Sequence, residues 1–263
     1  VAEQNLAVVG SGMAAAGKIP FIASYATFSP GRNNEQIRTN ICLNNVPVKV
    51  VGAHAGISVG PDGGTHQALE DIALMRVLPR MVVVVPCDAV EARKATIAIA
   101  SNGQPSYLRL GREKTPVITT SATPFEVGVA SIFREGSDVA IIACGVLVYE
   151  ALKAAQLLEA KGISAAVVNS HTIKPLDTET ILKVAKRCGA VVTAEEHQIA
   201  GGMGSAIAEL LAQELPVPIE FVGVQDRFGE SGSPAELMEK FGLNATNIFA
   251  AAKRAIARKK KSR

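Results

Sequence analysis

Short apolar runs that alternate with helical segments are the feature that most limits how this chain can fold. The run from Met81 to Val85 contains no polar side chain, and a helical pattern follows it from Ala89 to Ser101. The same alternation resumes at SDVAIIACG, residues 137–145, and continues through the second half of the chain. Strands that are apolar on both faces and are joined by helices are typical of a parallel sheet with helices on both sides. We therefore predict an α/β fold.

The chain is long enough to form two such units. It has 263 residues, of which 48% are hydrophobic, so it can bury two cores of ordinary size. The segment EKTPVITTSATP, residues 113–124, is rich in proline and threonine and is predicted to be a linker. We predict two α/β domains, residues 1–118 and 119–263.

Composition argues against several classes of function. No apolar run reaches the roughly 18 residues that a membrane span needs, and no signal peptide is recognisable. The four cysteines show no paired spacing, which favours reduced core residues over disulfides or metal ligands. Tryptophan is absent and aromatic residues make up 4%, so the stacking platforms of a single-strand nucleic-acid binder are missing. We expect a cytoplasmic protein with no membrane or nucleic-acid partner.

A basic tail dominates the net charge of +3. Seven of the positive side chains lie in the last eleven residues, and the remainder of the chain is net acidic. Such a tail usually solvates the end of a helix or is disordered, so we assign it no nucleic-acid role.

A glycine-rich stretch, VGAHAGISVGPDGGTHQALE at residues 51–70, places several ionisable side chains between a strand and a helix. His54 follows the end of a predicted strand, where the ligands of open α/β sheets lie. Thr65 is predicted to cap a helix that begins at His66. Asp62 lies between the histidines, so the stretch contains two imidazoles and one carboxylate, which suits proton transfer near neutral pH. A solvated surface loop explains the same spacing equally well.

This stretch closely resembles the pyrimidine-binding domain of transketolase. That family carries a histidine at the strand end, then G-x-D-G-[PG]-T-H-Q, then L-E-D, and the matching residues here are His54, Gly60–Gln67 and Leu69–Asp71. The opening AEQ and the segment IPFIASYATF, residues 19–28, are also similar to it. The second half resembles the C-terminal domain of transketolase, of deoxyxylulose phosphate synthase and of 2-oxo-acid dehydrogenase β subunits. The resemblance covers nearly the whole chain.

The resemblance implies that the chain binds part of thiamine diphosphate. Glu3 would form a hydrogen bond with a nitrogen of the pyrimidine ring and activate the cofactor, and Phe21, Tyr25 and Phe28 would hold that ring. The residues alone favour plainer interpretations: an acid in the first turn of a helix for Glu3, and a core cluster for the aromatic side chains.

For the substrate, the resemblance implies a set of polar contacts. His54 and His66 would bind substrate hydroxyls and shuttle protons, and Asp62 would bind the hydroxyl next to the carbonyl. Arg112, in the loop after the last predicted strand of the first domain, would bind the phosphate of a sugar phosphate. A surface arginine paired with Glu113 is the alternative for that residue.

The implied activity is transfer of a two-carbon ketol unit between sugar phosphates. Deoxyxylulose phosphate synthase is the alternative enzyme because it shares D-G-[PG]-T-H-Q, whereas Leu69–Asp71 and Gly111–Glu113 favour transketolase. A non-catalytic regulatory protein with the same fold is a third alternative. Such a protein is expected to lose the acid and the loop histidines, and both are present here.

The resemblance also implies that a further domain is needed. In this family a separate domain with a G-D-G motif holds the diphosphate and its Mg²⁺, whereas the Asp62–Gly63 pair here lies in the substrate loop. We expect no metal site in this chain, activity only with a diphosphate-binding domain or subunit, and assembly as a homodimer or heterotetramer. Because a helical pattern begins at Val1, we also expect a segment to precede it. His171 and His197 are expected to have structural or interface roles.

Overall fold

The computed structural model describes residues 1–261, in which two five-stranded sheets are flanked by helices. The elements before residue 110 are α1 (Glu3–Ala15), β1 (Phe21–Tyr25), α2 (Asn34–Gln36) with a π-helical continuation (Ile37–Leu43), β2 (Lys49–Ala53), a 3₁₀ segment (Ile57–Asp62), α3 (Asp71–Arg76), β3 (Val82–Val84), α4 (Ala89–Ser101) and β4 (Ser106–Arg109). The later elements are β5 (Ser131–Arg134), β6 (Val139–Ala143), α5 (Leu147–Glu159), β7 (Ala165–Asn169), β8 (Thr172–Lys174), α6 (Thr178–Cys188), β9 (Val191–Gln198), α7 (Met203–Glu214), β10 (Ile219–Val224), α8 (Pro234–Lys240) and α9 (Ala245–Lys261). Within residues 1–261, no helix is long and apolar enough to cross a membrane.

The first sheet has the strand order β1-β2-β4-β3-β8. Its first four strands are parallel, so their carboxyl ends meet at one edge, where Tyr25 is paired with Ala53 and Gly52 with Arg109. β8 belongs to the second half of the chain and joins this sheet antiparallel to β3. The parallel arrangement agrees with the prediction, but the last strand comes from beyond residue 118.

The second sheet has the order β10-β9-β6-β7-β5, in which β5 is an antiparallel edge strand. β6, β7, β9 and β10 are parallel and follow the alternation seen in the sequence. Asp177 caps α6 by accepting a hydrogen bond from the amide of Thr180 at 2.9 Å. β5 has no clear signal in the sequence because its side chains are only half-buried. The α/β class with two sheets is confirmed.

The two halves of the chain share apolar core. Met75 and Ile181, one from each half, belong to a single buried cluster. The segment 113–124 contains no helix or strand, as predicted, yet buried Asp88 fixes it by accepting from the amide of Thr119 at 2.6 Å. The linker is therefore part of the folded unit, and the division at residue 118 stays a prediction.

The predicted start of the helix after the glycine-rich stretch is wrong. α3 begins at Asp71 rather than His66, and Thr65 lies in a turn. The residues before α3 run beside the end of β2, where the amide of Gly56 donates to the carbonyl of Ala68 at 2.9 Å. This pairing uses backbone groups that a helix in this place would need.

Most of the basic tail packs as part of α9. Arg254 and Arg258 both pair with Glu220 of β10 at 2.8 Å, and the Lys259 ammonium donates to a carbonyl at the end of α6. These contacts fasten α9 to the second sheet, so these side chains do more than solvate a helix end. Arg263 lies outside the described residues.

Candidate functional site

A cavity of about 620 Å³ opens at the carboxyl end of β1, where α1, β1 and the glycine-rich stretch meet. Its walls combine acidic, basic and aromatic side chains, contributed by Val1, Glu3, Ser24, Tyr25, Phe28, Arg32, Asp62 and His66. A larger cavity of about 890 Å³ lies against β10 and α7, but its walls contain no histidine, lysine or arginine. Because titratable and aromatic groups converge on the first cavity, we take it as the candidate site.

Glu3 contributes a buried carboxylate to this cavity. It accepts hydrogen bonds from Arg32 at 2.9 Å and from the Ser24 hydroxyl at 3.4 Å. A ligand that binds both carboxylate oxygens must therefore displace Arg32.

Four rings cluster beside the cavity. The ring of Tyr25 stacks on that of His54, with centroids 4.1 Å apart and planes within 9° of each other. Phe28 is stacked at 6.2 Å from Tyr25, and His66 meets both aromatic rings edge-on, at 5.9 and 5.3 Å. The guanidinium of Arg32 lies 4.8 Å from the centroid of Phe28. This arrangement presents ring faces and edges suited to a flat heteroaromatic group.

His54 lies directly after β2, where the sequence predicts it. Its φ of 54° is in the left-handed region that residues other than glycine seldom adopt. Its Nδ1 is buried and has no hydrogen-bond partner among the described residues. An unusual backbone and an unpaired buried nitrogen are features that concentrate at functional sites.

Asp62 and Arg112 lie together at the mouth of the site. The Arg112 Nη1 donates to the carbonyl of Val59 at 2.8 Å and to Asp62 Oδ1 at 3.2 Å, whereas Glu113 is 3.8 Å from its Nε. The partner of Arg112 is thus mainly the 3₁₀ segment rather than Glu113. Both side chains of the Arg112–Asp62 pair are about one-third exposed, so the pair is weak enough to exchange for a ligand.

Phe21 does not join this cluster. It begins β1 while Tyr25 ends it, so the two Cα atoms are about 13 Å apart in an extended strand. Phe21 is 41% exposed and does not line the cavity. The structure therefore separates Phe21 from the other predicted cofactor-binding rings, and we leave it out of the site.

Gln67 holds the glycine-rich stretch in shape. Its Nε2 donates to the carbonyls of Ile57 at 3.1 Å, Gly60 at 3.2 Å and Glu230 at 3.0 Å. Close packing requires a glycine at position 64, because a Cβ there would lie 2.6 Å from a backbone oxygen of the segment that contains Glu230. A segment of the second half thus supports the loop that carries Asp62.

A buried ionic network lies behind the loop. Arg109, at the end of β4, donates to Asp71 at 2.8 Å, and the Tyr107 hydroxyl donates to the same carboxylate at 2.7 Å. Burial would raise the pKa of Asp71, but Arg109 outweighs it and the pKa is lowered. Arg109 also donates to the carbonyls of Ala68 and Glu196, so this arginine joins the loop to the second half and does not line the cavity.

Two known family models match this chain, one in each half. The model described as "Transketolase, pyrimidine binding domain" matches residues 1–117, and "Transketolase, C-terminal domain" matches residues 128–248. The chain belongs to the transketolase family. The fold and the motif resemblance are both confirmed by these matches.

Several members of the transketolase family are similar over almost all of this chain. A 6-deoxy-6-sulfo-D-fructose transketolase subunit of Clostridium sp. (strain MSTE9) is 44% identical over 98% of this chain and 80% of its own length. A solved structure described as "Split gene transketolase, inactive beta4 tetramer" is 46% identical, with a TM-score of 0.93 over 98% of this chain and 83% of that one. A 1-deoxy-D-xylulose-5-phosphate synthase of Geobacter sulfurreducens is 40% identical over 98% of this chain, which spans 41% of that protein.

Most of the residues that the transketolase resemblance singles out lie together in the structure. Glu3, Tyr25, Phe28, Asp62 and His66 line one cavity; the neighbouring residues described above complete the cluster, and their individual roles stay predictions. Sequence reasoning missed the cavity residues Ser24 and Arg32, because a serine in a strand and an arginine in a turn carry no local signal.

The two remaining histidines lie away from the cavity. His197 is buried and accepts from the amide of Ala73 at 3.4 Å, so it contacts the first half from β9. His171 is buried against Phe125, with centroids 4.3 Å apart. Over the described range, no group of three or more histidine, cysteine, aspartate or glutamate side chains could hold a metal ion.

Proposed function

We propose that this chain is the pyrimidine-binding and C-terminal part of a thiamine diphosphate enzyme that transfers a two-carbon ketol unit between sugar phosphates. The observation that carries the proposal is the convergence of one buried carboxylate, stacked rings, an imidazole and an aspartate on a single cavity. Family membership supports the same assignment.

The cavity fits the pyrimidine part of that cofactor. A buried carboxylate beside ring faces suits a flat heteroaromatic ring with a nitrogen at its edge, and Glu3, Tyr25 and Phe28 supply these groups. Thiamine diphosphate, when bound, supplies the carbon nucleophile that breaks the bond next to a ketose carbonyl. Glu3 would hold a proton at the ring nitrogen, and Arg32 would release one carboxylate oxygen as the ring enters.

The loop residues would then bind the sugar. His66 and Asp62 line the cavity, and the unpaired Nδ1 of His54, which is buried beside Tyr25, would bond a substrate hydroxyl or phosphate oxygen. Arg112, at the mouth, would exchange its contact with Asp62 for the substrate phosphate, because a phosphate offers a bidentate and more highly charged acceptor.

A diphosphate-binding subunit would complete the site and hold Mg²⁺. An exposed apolar face of α1 lies on the same helix as Glu3 and supports such a contact. Val8, Val9 and Met13 are 46%, 51% and 47% exposed there. Grouped exposed apolar side chains of this kind mark protein contacts. Assembly as a homodimer or heterotetramer belongs to the same proposal.

The test uses the chain alone and together with its diphosphate-binding partner subunit. The isolated chain should show no ketol transfer from xylulose 5-phosphate, and the assembled enzyme should show it. Glu3→Gln should remove proton exchange at the reactive thiazolium carbon of bound cofactor, since an amide cannot hold the proton that the ring nitrogen needs. Glu35→Gln, a change at an exposed acid nearby, is the matched control. Unchanged exchange in Glu3→Gln would contradict the proposal.

A second candidate is synthesis of a 1-deoxy sugar phosphate, which the similarity to a 1-deoxy-D-xylulose-5-phosphate synthase favours. The two reactions transfer units that differ by one hydroxyl. Asp62 and His66 belong to the motif that both enzymes share, whereas Leu69–Asp71 and Gly111–Glu113 match transketolase, so we favour ketol transfer. Hydroxypyruvate and pyruvate form a matched donor pair, and use of pyruvate in place of hydroxypyruvate would support the second candidate.

A further inference from the structure

The second sheet has a crevice at the carboxyl ends of β6 and β9, the place where open α/β sheets bind ligands. The chain leaves β6 for β7 on one side and later reaches β9 on the other, so the winding reverses between β6 and β9. Here the first half of the chain fills that crevice. Gly145, after β6, donates to the carbonyl of Val85 at 3.2 Å, and the carbonyl of Glu196 in β9 accepts from Arg109 at 2.8 Å.

The side chain of Glu196 reaches the glycine-rich stretch. Its Oε1 accepts a hydrogen bond from the backbone amide of Ser58 at 2.6 Å, and the residue is 3% exposed. Gly56 makes this approach possible, because a Cβ at that position would lie 2.3 Å from the carboxylate carbon, and its φ is +91°. A short hydrogen bond in a buried place is a strong constraint on the loop, because its loss would leave a buried amide unpaired.

A second contact comes from the same strand. The amide of Gln198 donates to the carbonyl of Leu69 at 2.8 Å. The two contacts from β9 therefore fix the loop at positions 58 and 69, on either side of Asp62 and His66. Glu196 itself does not line the cavity.

We propose that Glu196 is a positioning residue, through which the second half holds residues 56–66 in the geometry that Asp62 and His66 need. The inference depends on the proposed function for the identity of the substrate. The hydrogen bond between Glu196 and the Ser58 amide, which we call the clamp, lies within the chain itself and can be measured without a partner subunit.

Glu195 provides a matched control. It is the preceding residue on β9 and is 2% exposed, so it is buried as deeply as Glu196. Alternation along the strand places its side chain on the other face, where it accepts from the amides of Met203 and Gly204 at 2.7 Å each. Loss of Glu195 leaves two buried amides unpaired and loss of Glu196 leaves one, but only loss of Glu196 should release the loop.

The test is backbone hydrogen–deuterium exchange of residues 56–69 in the isolated chain, with folding of each variant checked by its melting curve. Glu196→Ala should accelerate exchange at Ser58 and its neighbours by about ten- to a hundred-fold, and Glu195→Ala should not. Glu196→Gln keeps an acceptor oxygen and should restore slow exchange. Glu196→Asp is too short to reach Ser58, so it gives the same test if Glu196→Ala does not fold.

Equal loop exchange in the unchanged chain and in the folded Ala and Asp variants would overturn the clamp. Acceleration of the loop by Glu195→Ala to the same degree would overturn it too, because the effect would then be general loss of stability.

In the assembled enzyme, Glu196→Asp should lower kcat/KM for sugar phosphate donors by about tenfold or more, because small displacements of positioning groups are costly. Thiazolium proton exchange, which depends on Glu3, should stay unchanged. Absence of ketol transfer in the unchanged enzyme would refute the proposed function and leave the loop measurement valid. An active enzyme in which Glu196→Asp frees the loop but keeps kcat/KM would refute the positioning role.

Discussion

Two arginine–aspartate pairs connect the end of β4 to the glycine-rich region, and they differ in burial and in support. The Arg109–Asp71 pair has an N–O distance of 2.8 Å with side chains 6% and 1% exposed, whereas the Arg112–Asp62 pair has 3.2 Å with 34% and 30% exposed. The buried carboxylate is also held by Tyr107, but the exposed one lies in the cavity wall. Two arginines three residues apart thus have different roles: Arg109 maintains the loop, and Arg112 is free to exchange partners.

The largest expected effect is on stability, from breaking the buried pair. Arg109→Met leaves the Asp71 carboxylate without its cationic partner in the core, so the free energy of unfolding should fall by about 3–5 kcal/mol. Urea unfolding of the isolated chain measures this. The double variant Arg109→Met with Asp71→Leu removes both charges and should recover part of the loss. A single variant as stable as the unchanged chain would show that the pair does not hold the loop region.

A buried imidazole, that of His171, should make the stability of the chain depend on pH. Burial lowers the pKa of His171 from 6.5 to about 4. The unfolded chain keeps the ordinary pKa, so the stability due to neutral His171 is complete above about pH 6.5 and is lost as the pH falls towards 4, by about 3 kcal/mol in all. The free energy of unfolding, measured with urea at each pH, should depend less on pH over this range in His171→Gln than in the unchanged chain. An unchanged slope in that variant would assign the acid sensitivity to other groups.

The exposed arginine should matter for binding. In the assembled enzyme, Arg112→Ala should weaken phosphorylated substrates by about 1.5–3 kcal/mol, or roughly ten- to a hundred-fold, because a charge-assisted contact with phosphate is lost. Hydroxypyruvate has no phosphate and should be little affected. Steady-state kinetics with both donors make the comparison, and equal losses would remove Arg112 from the phosphate site.

The smallest expected effect is that of the exposed pair on folding. Arg112→Ala should change the free energy of unfolding by no more than about 1 kcal/mol, since exposed ion pairs contribute little. Urea unfolding of the isolated chain measures this change, and the loss in Arg109→Met is the value with which it is compared. A loss as large as that of Arg109→Met would mean that both arginines maintain the loop, and the division of tasks would fail.

Local patterns were sufficient for the elements whose signals are local. The bounds of α4 agree with the prediction, and His54 follows β2, because each depends on apolar periodicity or a strand end within a few residues. The convergence of Glu3 with the loop residues was expected only from the family resemblance, since no spacing rule links positions 3 and 62.

The rest depends on partners that are distant in sequence. Ser58 and Glu196 are 138 residues apart, and β8 pairs with β3 across the predicted boundary. The start of α3 was wrong for the same reason: Gln67 and Ala68 bond to other parts of the fold instead of to a helix. The family resemblance groups Phe21 with Tyr25, although an extended strand holds the two apart.

The antiparallel strand β8 has a consequence for how this protein is made. β3 is a short, buried strand of three valines, and β8 covers its outer side. While the chain is still on the ribosome, the first half emerges with that apolar edge uncovered, and uncovered edges pair readily with other chains. The edge closes only after Lys174 has left the ribosome exit tunnel. Translation that stalls before that point leaves a nascent chain with an uncovered apolar strand edge, the kind of edge at which chains aggregate.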